Sequence, residues 1–204
     1  MANLDKIEQT LKNGDEPLLC QNNRLPITIK DFWAWSASDI MSNTTRSRFA
    51  EFIVATATNV DLGIPRQEWE SYDLLTTEGI KIEVKSSAYI QAWHQKKLST
   101  ITFSIKPARY WNSLNGEQEF TAKRHADIFV MCLLKNIDQN TINPLDMDQW
   151  DFYVLSKQEL EKEYFTQQSI TLKSLEKLTN PVSYVQLLNE IRIKHHKNNN
   201  STTA

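Results

Sequence analysis

A chain of 204 residues, 40% hydrophobic and 24% charged, has the length and composition of a soluble globular protein with a sizeable core. No apolar run nears the roughly 20 residues that span a bilayer, and the polar opening MANLDKIEQTLKNGDE is unlike a signal peptide, so a membrane protein is excluded and a cytoplasmic one expected. The net charge of −2 argues against a generic nucleic-acid coat, yet it hides an asymmetry: residues 1–79 sum to −5, residues 80–125 to +5 and residues 126–204 to −2.

In chain order, Leu4, Ile7 and Leu11 predict a short helix over residues 3–13, closed by Gly14 and Pro17. Cys20 and Cys132 lie far apart and are expected to be reduced thiols, since a lone pair makes neither a disulfide framework nor a zinc site. An extended piece from Arg24 leads into a helix over about 30–41. A second helix is expected over about 45–60, capped by Asn43, Thr44 or Thr45. In it Phe49, Phe52, Ile53 and Val60 recur at helical spacing, Ala50, Ala55 and Ala57 permit close approach to a sheet, and Glu51 sits mid-helix. Gly63 and Pro65 end it.

A strand over 68–75, a turn at TTEG and the strand IKIEVKSS form a predicted hairpin. The polar insert AWHQKKLS precedes TITFSI, which is strongly β in composition. Beyond Pro107 only a short helix near 119–126 fits. ADIFVMCLL, 126–134, is a continuous apolar run, the mark of a strand covered on both faces, and WDFYVLS, 150–156, alternates. Ser156 and Glu159 form a capping-box pattern at the head of SKQELEKEYF. A last helix is expected over 182–194, and residues 195–204, with no apolar content, are expected to be disordered. Trp33, Trp35, Trp93 and Trp111 are expected in the core or an interface.

Within this order one strand stands out. Glu83 and Lys85 are two residues apart, so their side chains share a face, with Ile82 and Val84 on the other. Asp73 precedes Glu83 by nine intervening residues, and Glu51 lies on the preceding helix. Singly, each has an ordinary explanation as a surface ion pair or a solvated acid.

Together, RFAEFIVA with Glu51, SYDL with Asp73 and IEVKSS with Glu83 and Lys85 resemble the PD-(D/E)XK nuclease superfamily, over roughly residues 45–135. The proline of that name is Tyr72 here. The resemblance implies an α/β (α+β) restriction-endonuclease-like fold, a mixed central sheet flanked by helices with extra N- and C-terminal helices, in a single domain over 1–194. It also implies a Mg²⁺-dependent endonuclease of restriction or repair type, with Mn²⁺ as a substitute ion. Asp73, Glu83 and the Val84 carbonyl would be the ligands, Lys85 would orient or help deprotonate the attacking water, and Glu51 would assist from its helix.

This residue set suits the chemistry. Phosphodiester hydrolysis needs an activated water and neutralised phosphoryl charge, and Mg²⁺ prefers one or two carboxylates plus waters and phosphate oxygens. Lys and Arg position a phosphate backbone, so Lys96, Lys97 and Arg109 in the basic stretch are candidate DNA contacts, with Ser86 and Gln91 closer to the site. The expected substrate is double-stranded DNA, and a homodimer is expected by analogy with enzymes that cut both strands. The alternatives are a catalytically silent protein of the same fold that binds nucleic acid or a protein, and an unrelated α/β protein whose basic loop binds an acidic partner.

Overall fold

The computed structural model describes residues 6–67, 70–111 and 117–201. At the N-terminus, β1 (Pro17–Cys20) and β2 (Asn23–Thr28) form an antiparallel hairpin whose two-residue loop, Gln21 and Asn22, has φ of 50° and 66°. Positive φ at both central residues is what a type I′ turn requires. The helix α1 (Ile29–Ala37) follows, with a capping box between Thr28 and Asp31. Ser42, one residue before the predicted caps, caps the helix α2 (Asn43–Ala57) by accepting from Thr45 N.

The next elements are β3 (Leu74–Leu75), β4 (Lys81–Ala88), β5 (Thr102–Ser104), β6 (Ile128–Leu134), β7 (Trp150–Ser156), the capping-box helix α3 (Lys157–Tyr164), β8 (Ser169–Thr171), α4 (Leu172–Leu175) and α5 (Leu187–Ser201). The fold is mixed α/β. Its central sheet has the order β3-β4-β6-β7, with β4 and β6 parallel and the two outer pairings antiparallel. Every residue of β6 is buried, as its unbroken apolar sequence demands.

The period of two sorts the sheet into two cores. Ile82, Val84, Ile128, Val130, Cys132, Phe152 and Val154 face one side, where Ala50, Ile53 and Val54 of α2 and Leu187 and Ile191 of α5 pack. Phe129, Met131, Leu133, Tyr153 and Leu155 face the other, beneath Phe103 of β5, Leu160 of α3, Ile170 of β8 and Leu175 of α4. On that second side β4 contributes Glu83, Lys85 and Ser87, in register with Phe129, Met131 and Leu133. The sheet is thus apolar under β6 and polar at β4, next to the edge.

Several expected elements differ. Residues 6–13 form no helix, and Ile7 is 86% exposed; a helix this short is marginal without burial of its apolar face. Residues 3–5 lie outside the described residues. The strand expected over 68–75 shrinks to Leu74–Leu75, with residues 68 and 69 outside the described set. TITFSI does not join the central sheet: β5 pairs antiparallel with β8, 65 or more residues further along, and covers the second core. No helix forms over 119–126, because Ala108 and Lys123 exchange backbone hydrogen bonds of 3.0 Å in an extended bridge. Asn112, Asn115 and Gly116 fall outside the described residues. The tail expected to be disordered from 195 continues α5 to Ser201, with 202–204 outside the described residues. Trp33, Trp35, Trp93 and Trp111 are 40%, 85%, 54% and 38% exposed, and the core tryptophan among the described residues is Trp150.

Phe152, fully buried between β6 and the flanking helices, sets a test of this core. Phe152→Ala should lower the unfolding free energy by about 3–5 kcal/mol in urea titrations. Phe120→Ala, at a site 96% exposed, should change it by less than about 0.5 kcal/mol.

Candidate active site

The site lies where β3 stops. Asp73 still donates its backbone N–H to the Ile82 carbonyl at 3.0 Å, but its carboxylate then takes the place of a continuing strand: Oδ2 accepts the Val84 N–H at 2.7 Å. A side chain thereby satisfies an edge donor that a neighbouring strand would otherwise take. The same bond fixes Asp73 beside the polar face of β4.

There Glu83 Oε1 accepts from Lys85 Nζ, and the same ammonium lies 3.9 Å from Asp73 Oδ2. From the other side of the edge, Glu51 of α2 is held by Arg66, whose Nη2 is 3.1 Å from Glu51 Oε1 and 3.9 Å from Asp73 Oδ1. The four residues singled out in the sequence therefore converge, through Asp73, into one network. Arg66 is the member that sequence reasoning misses: it sits in the irregular stretch after Pro65, where no periodicity points it anywhere.

The electrostatics are those of crowded, partly dehydrated acids. Burial pushes the Glu83 carboxyl above its ordinary range, and the Asp73 charge adds to the push against the pull of Lys85. Burial likewise raises Glu51, countered by its hydrogen bond from Arg66 and reinforced by Asp73. Burial works against the charged form of Lys85, but the negative charges of Glu83 and Asp73 outweigh it, and the pKa stands above the ordinary lysine value. Lys85 is thus a cation at neutral pH.

Asp73 and Glu83 can supply hard oxygen donors to a divalent ion, with the Val84 backbone between them on the same edge. Among the described residues no three His, Cys, Asp or Glu side chains lie close enough to cage a metal. Two carboxylates are donors of the oxygen type that hard divalent ions take.

The proposed DNA contacts divide. Arg109 lines a cavity of ≈300 Å³ together with Asp73, Glu83 and His125, so it borders the network. Lys96 and Lys97 are exposed on the loop after β4 and line none of the cavities that touch the four. Ser86 faces α2, its Oγ 3.3 Å from Ser47 Oγ. Gln91 donates to the Ala88 carbonyl at 2.7 Å and to Ser99 Oγ at 3.1 Å, bracing the loop. A second, mainly apolar cavity of ≈480 Å³ flanks the site on the α2 side, between Phe52, Leu62, Ile64 and Glu51, Arg66, Asp73.

Among the described residues no helix is long and apolar enough to cross a membrane. A comparison with family models places the chain in a family of endonucleases. The chain belongs to the bacteriophage T4 endonuclease IV family, whose model matches residues 29–174, a span that holds Glu51, Arg66, Asp73, Glu83 and Lys85. A comparison with curated proteins gives no match.

The raised carboxyls carry a sign. A carboxyl whose folded pKa exceeds its unfolded value binds protons more tightly in the folded state. Its stabilisation is complete below the ordinary glutamate range and is lost as pH rises through the folded pKa. In urea titrations from pH 4 to 8 without divalent ions, Glu83→Gln should therefore lose less stability on going to high pH than the wild type. An identical decline in both proteins would show that Glu83 is not the strained group.

Proposed function

We propose that this chain is a Mg²⁺-dependent endonuclease that hydrolyses DNA phosphodiester bonds at a PD-(D/E)XK-type centre. The observation that carries the reading is the convergence of Asp73, Glu83 and Lys85 at the sheet edge left open by β3. Membership of an endonuclease family supports the reaction class, and the basic surplus in residues 80–125, on the segment that bears Glu83 and Lys85, supports a polyanionic substrate.

In this reading Asp73 and Glu83, with the Val84 carbonyl, hold the ion. Bound there, Mg²⁺ supplies charge neutralisation at the phosphoryl oxygens and a more acidic attacking water. Lys85, cationic beside both carboxylates, stabilises negative charge as it develops on the phosphate and orients the water. Glu51 and Arg66 act as a positioning pair: the salt bridge sets the guanidinium 3.9 Å from Asp73 and so steadies that carboxylate from the α2 side. Arg109, across the cavity from Glu83, contacts the DNA backbone. Duplex DNA cut by a homodimer is the expected form of the reaction, by analogy with restriction-type enzymes.

Plasmid, linear duplex and single-stranded DNA offered with Mg²⁺ or Mn²⁺ should be cut by the wild type. Lys85→Ala should slow cutting by about 10²–10⁴-fold, and Glu83→Ala by at least as much. A second readout needs no cleavage. A saturating divalent ion should raise the unfolding free energy of the wild type, by about 2.7 kcal/mol at a hundred times its Kd, and should leave Glu83→Gln unmoved. Intact DNA with an ion-induced shift would keep the site and discard the substrate. No cutting and no shift would leave a binding module.

A further inference from the structure

A separate polar cavity opens one strand step beyond Lys85. It measures ≈430 Å³ and is lined by Asn43, Arg46 and Ser47 from the first turns of α2, by Ser86 and Ser87 of β4, and by Trp93 and Thr100 of the following loop. No carboxylate lines it.

Arg46 is the unusual member. It is 3% exposed, yet among the described residues its guanidinium meets only neutral acceptors: the Met41 carbonyl at 2.8 Å, Asn43 Oδ1 at 2.5 Å and Gln91 Oε1 at 3.3 Å. Its Nε is buried with no acceptor. A buried charge without a counter-ion is costly, and the fold makes it costlier. Arg46 sits in the first turn of a 15-residue helix, where the macrodipole is positive, and that turn contains no acidic residue. The acids that flank it in sequence are engaged elsewhere, Asp39 by the Met41 and Ser42 amides at 3.1 Å each and Glu51 by Arg66, and neither lines the cavity. Positive charge, a helix N-terminus and a ring of hydroxyl donors around an opening together make a site for an anion.

We propose that this cavity is a phosphate subsite that seats a backbone phosphate of the nucleic acid next to the scissile one, with Arg46 as counter-charge and the surrounding hydroxyls as donors. Ser87 lies two residues along β4 from Lys85 on the same face, about 7 Å away, a separation that one nucleotide of sugar-phosphate chain spans. The subsite rests on the nuclease reading for its ligand, but binding tests it without cleavage.

The experiment is equilibrium binding of a short DNA oligonucleotide, as single strand and as duplex, in the absence of divalent ions and over a range of salt. Loss of one phosphate contact in Arg46→Gln should weaken binding and reduce the slope of log K against log[salt] by about 0.9 for duplex or 0.7 for single strand. A merely structural arginine would not change that slope in a folded protein. A series of oligonucleotides, each with one phosphate replaced by a neutral methylphosphonate, should contain a position that weakens the wild type but not the variant. Because Arg46 is buried, Ser47→Ala combined with Thr100→Ala serves as a second variant that keeps the charge, and it should blunt the penalty at the same methylphosphonate position. An unchanged salt slope in folded Arg46→Gln, equal methylphosphonate penalties in all three proteins, or a wild type that binds neither DNA would overturn the subsite. Failure of the nuclease reading would show elsewhere, as a wild type that binds DNA yet leaves it uncut when Mg²⁺ is added.

Discussion

The hydrogen bond from Val84 N–H to Asp73 is the contact around which this molecule is arranged. β4 must be apolar where it meets α2 and polar where it meets solvent, and its alternation of Ile82, Val84 and Ala88 with Glu83, Lys85 and Ser87 satisfies both. A full-length neighbouring strand would have covered its open edge and closed the face. Starting β3 only at Leu74 leaves the edge beyond Ile82 accessible, and the Asp73 carboxylate meets the donor so exposed. The side chain that closes the sheet is thereby delivered to Lys85, and through Arg66 to Glu51 on the far side of the edge.

That economy has an electrostatic cost. Three carboxylates gathered at a partly dehydrated edge repel one another, which is why burial and neighbouring charge together lift Glu51 and Glu83. Lys85 and Arg66 relieve the crowding without abolishing it. Functional sites are commonly less stable than the structure around them. β6, buried on both faces and paired on both edges, anchors β4 along all seven of its registered residues from Ile82 to Ala88.

How much of this the sequence discloses follows from the range of the interactions. α2, β4, β6, β7 and the Ser156–Glu159 capping box are legible because each is written in local periodicity or in a three-residue pattern. Asp73, Glu83 and Lys85 are legible because a hairpin converts their spacing into proximity. β5 is legible as a strand but not as the partner of β8, a pairing between distant segments that no local pattern encodes. Residues 119–123 carry an i, i+4 Glu119–Lys123 pair suited to a helix, and the pair forms at 2.8 Å, but cross-chain bonding at Ala108 overrides the helix. Arg66 was beyond reach for a related reason: a cation's neighbours are set by which loops close over it, and for Arg46, at the head of the Glu51 helix, the sequence shows the charge but not its enclosure.

The burial of Arg46 sets it apart from the residues of the basic stretch. Lys96 and Lys97 are conspicuous in sequence and exposed in the fold, whereas Arg46 is enclosed. Arg46 contributes to a segment whose net charge is negative, and no charge count would select it. Yet a guanidinium held rigid by three neutral acceptors, with a dehydrated Nε, loses little freedom on meeting an anion, whereas a surface lysine must be immobilised to do the same. The cavity lined by Asp73 and Glu83 and the one lined by Arg46 thus both border β4, the first at Glu83 and the second at Ser86 and Ser87.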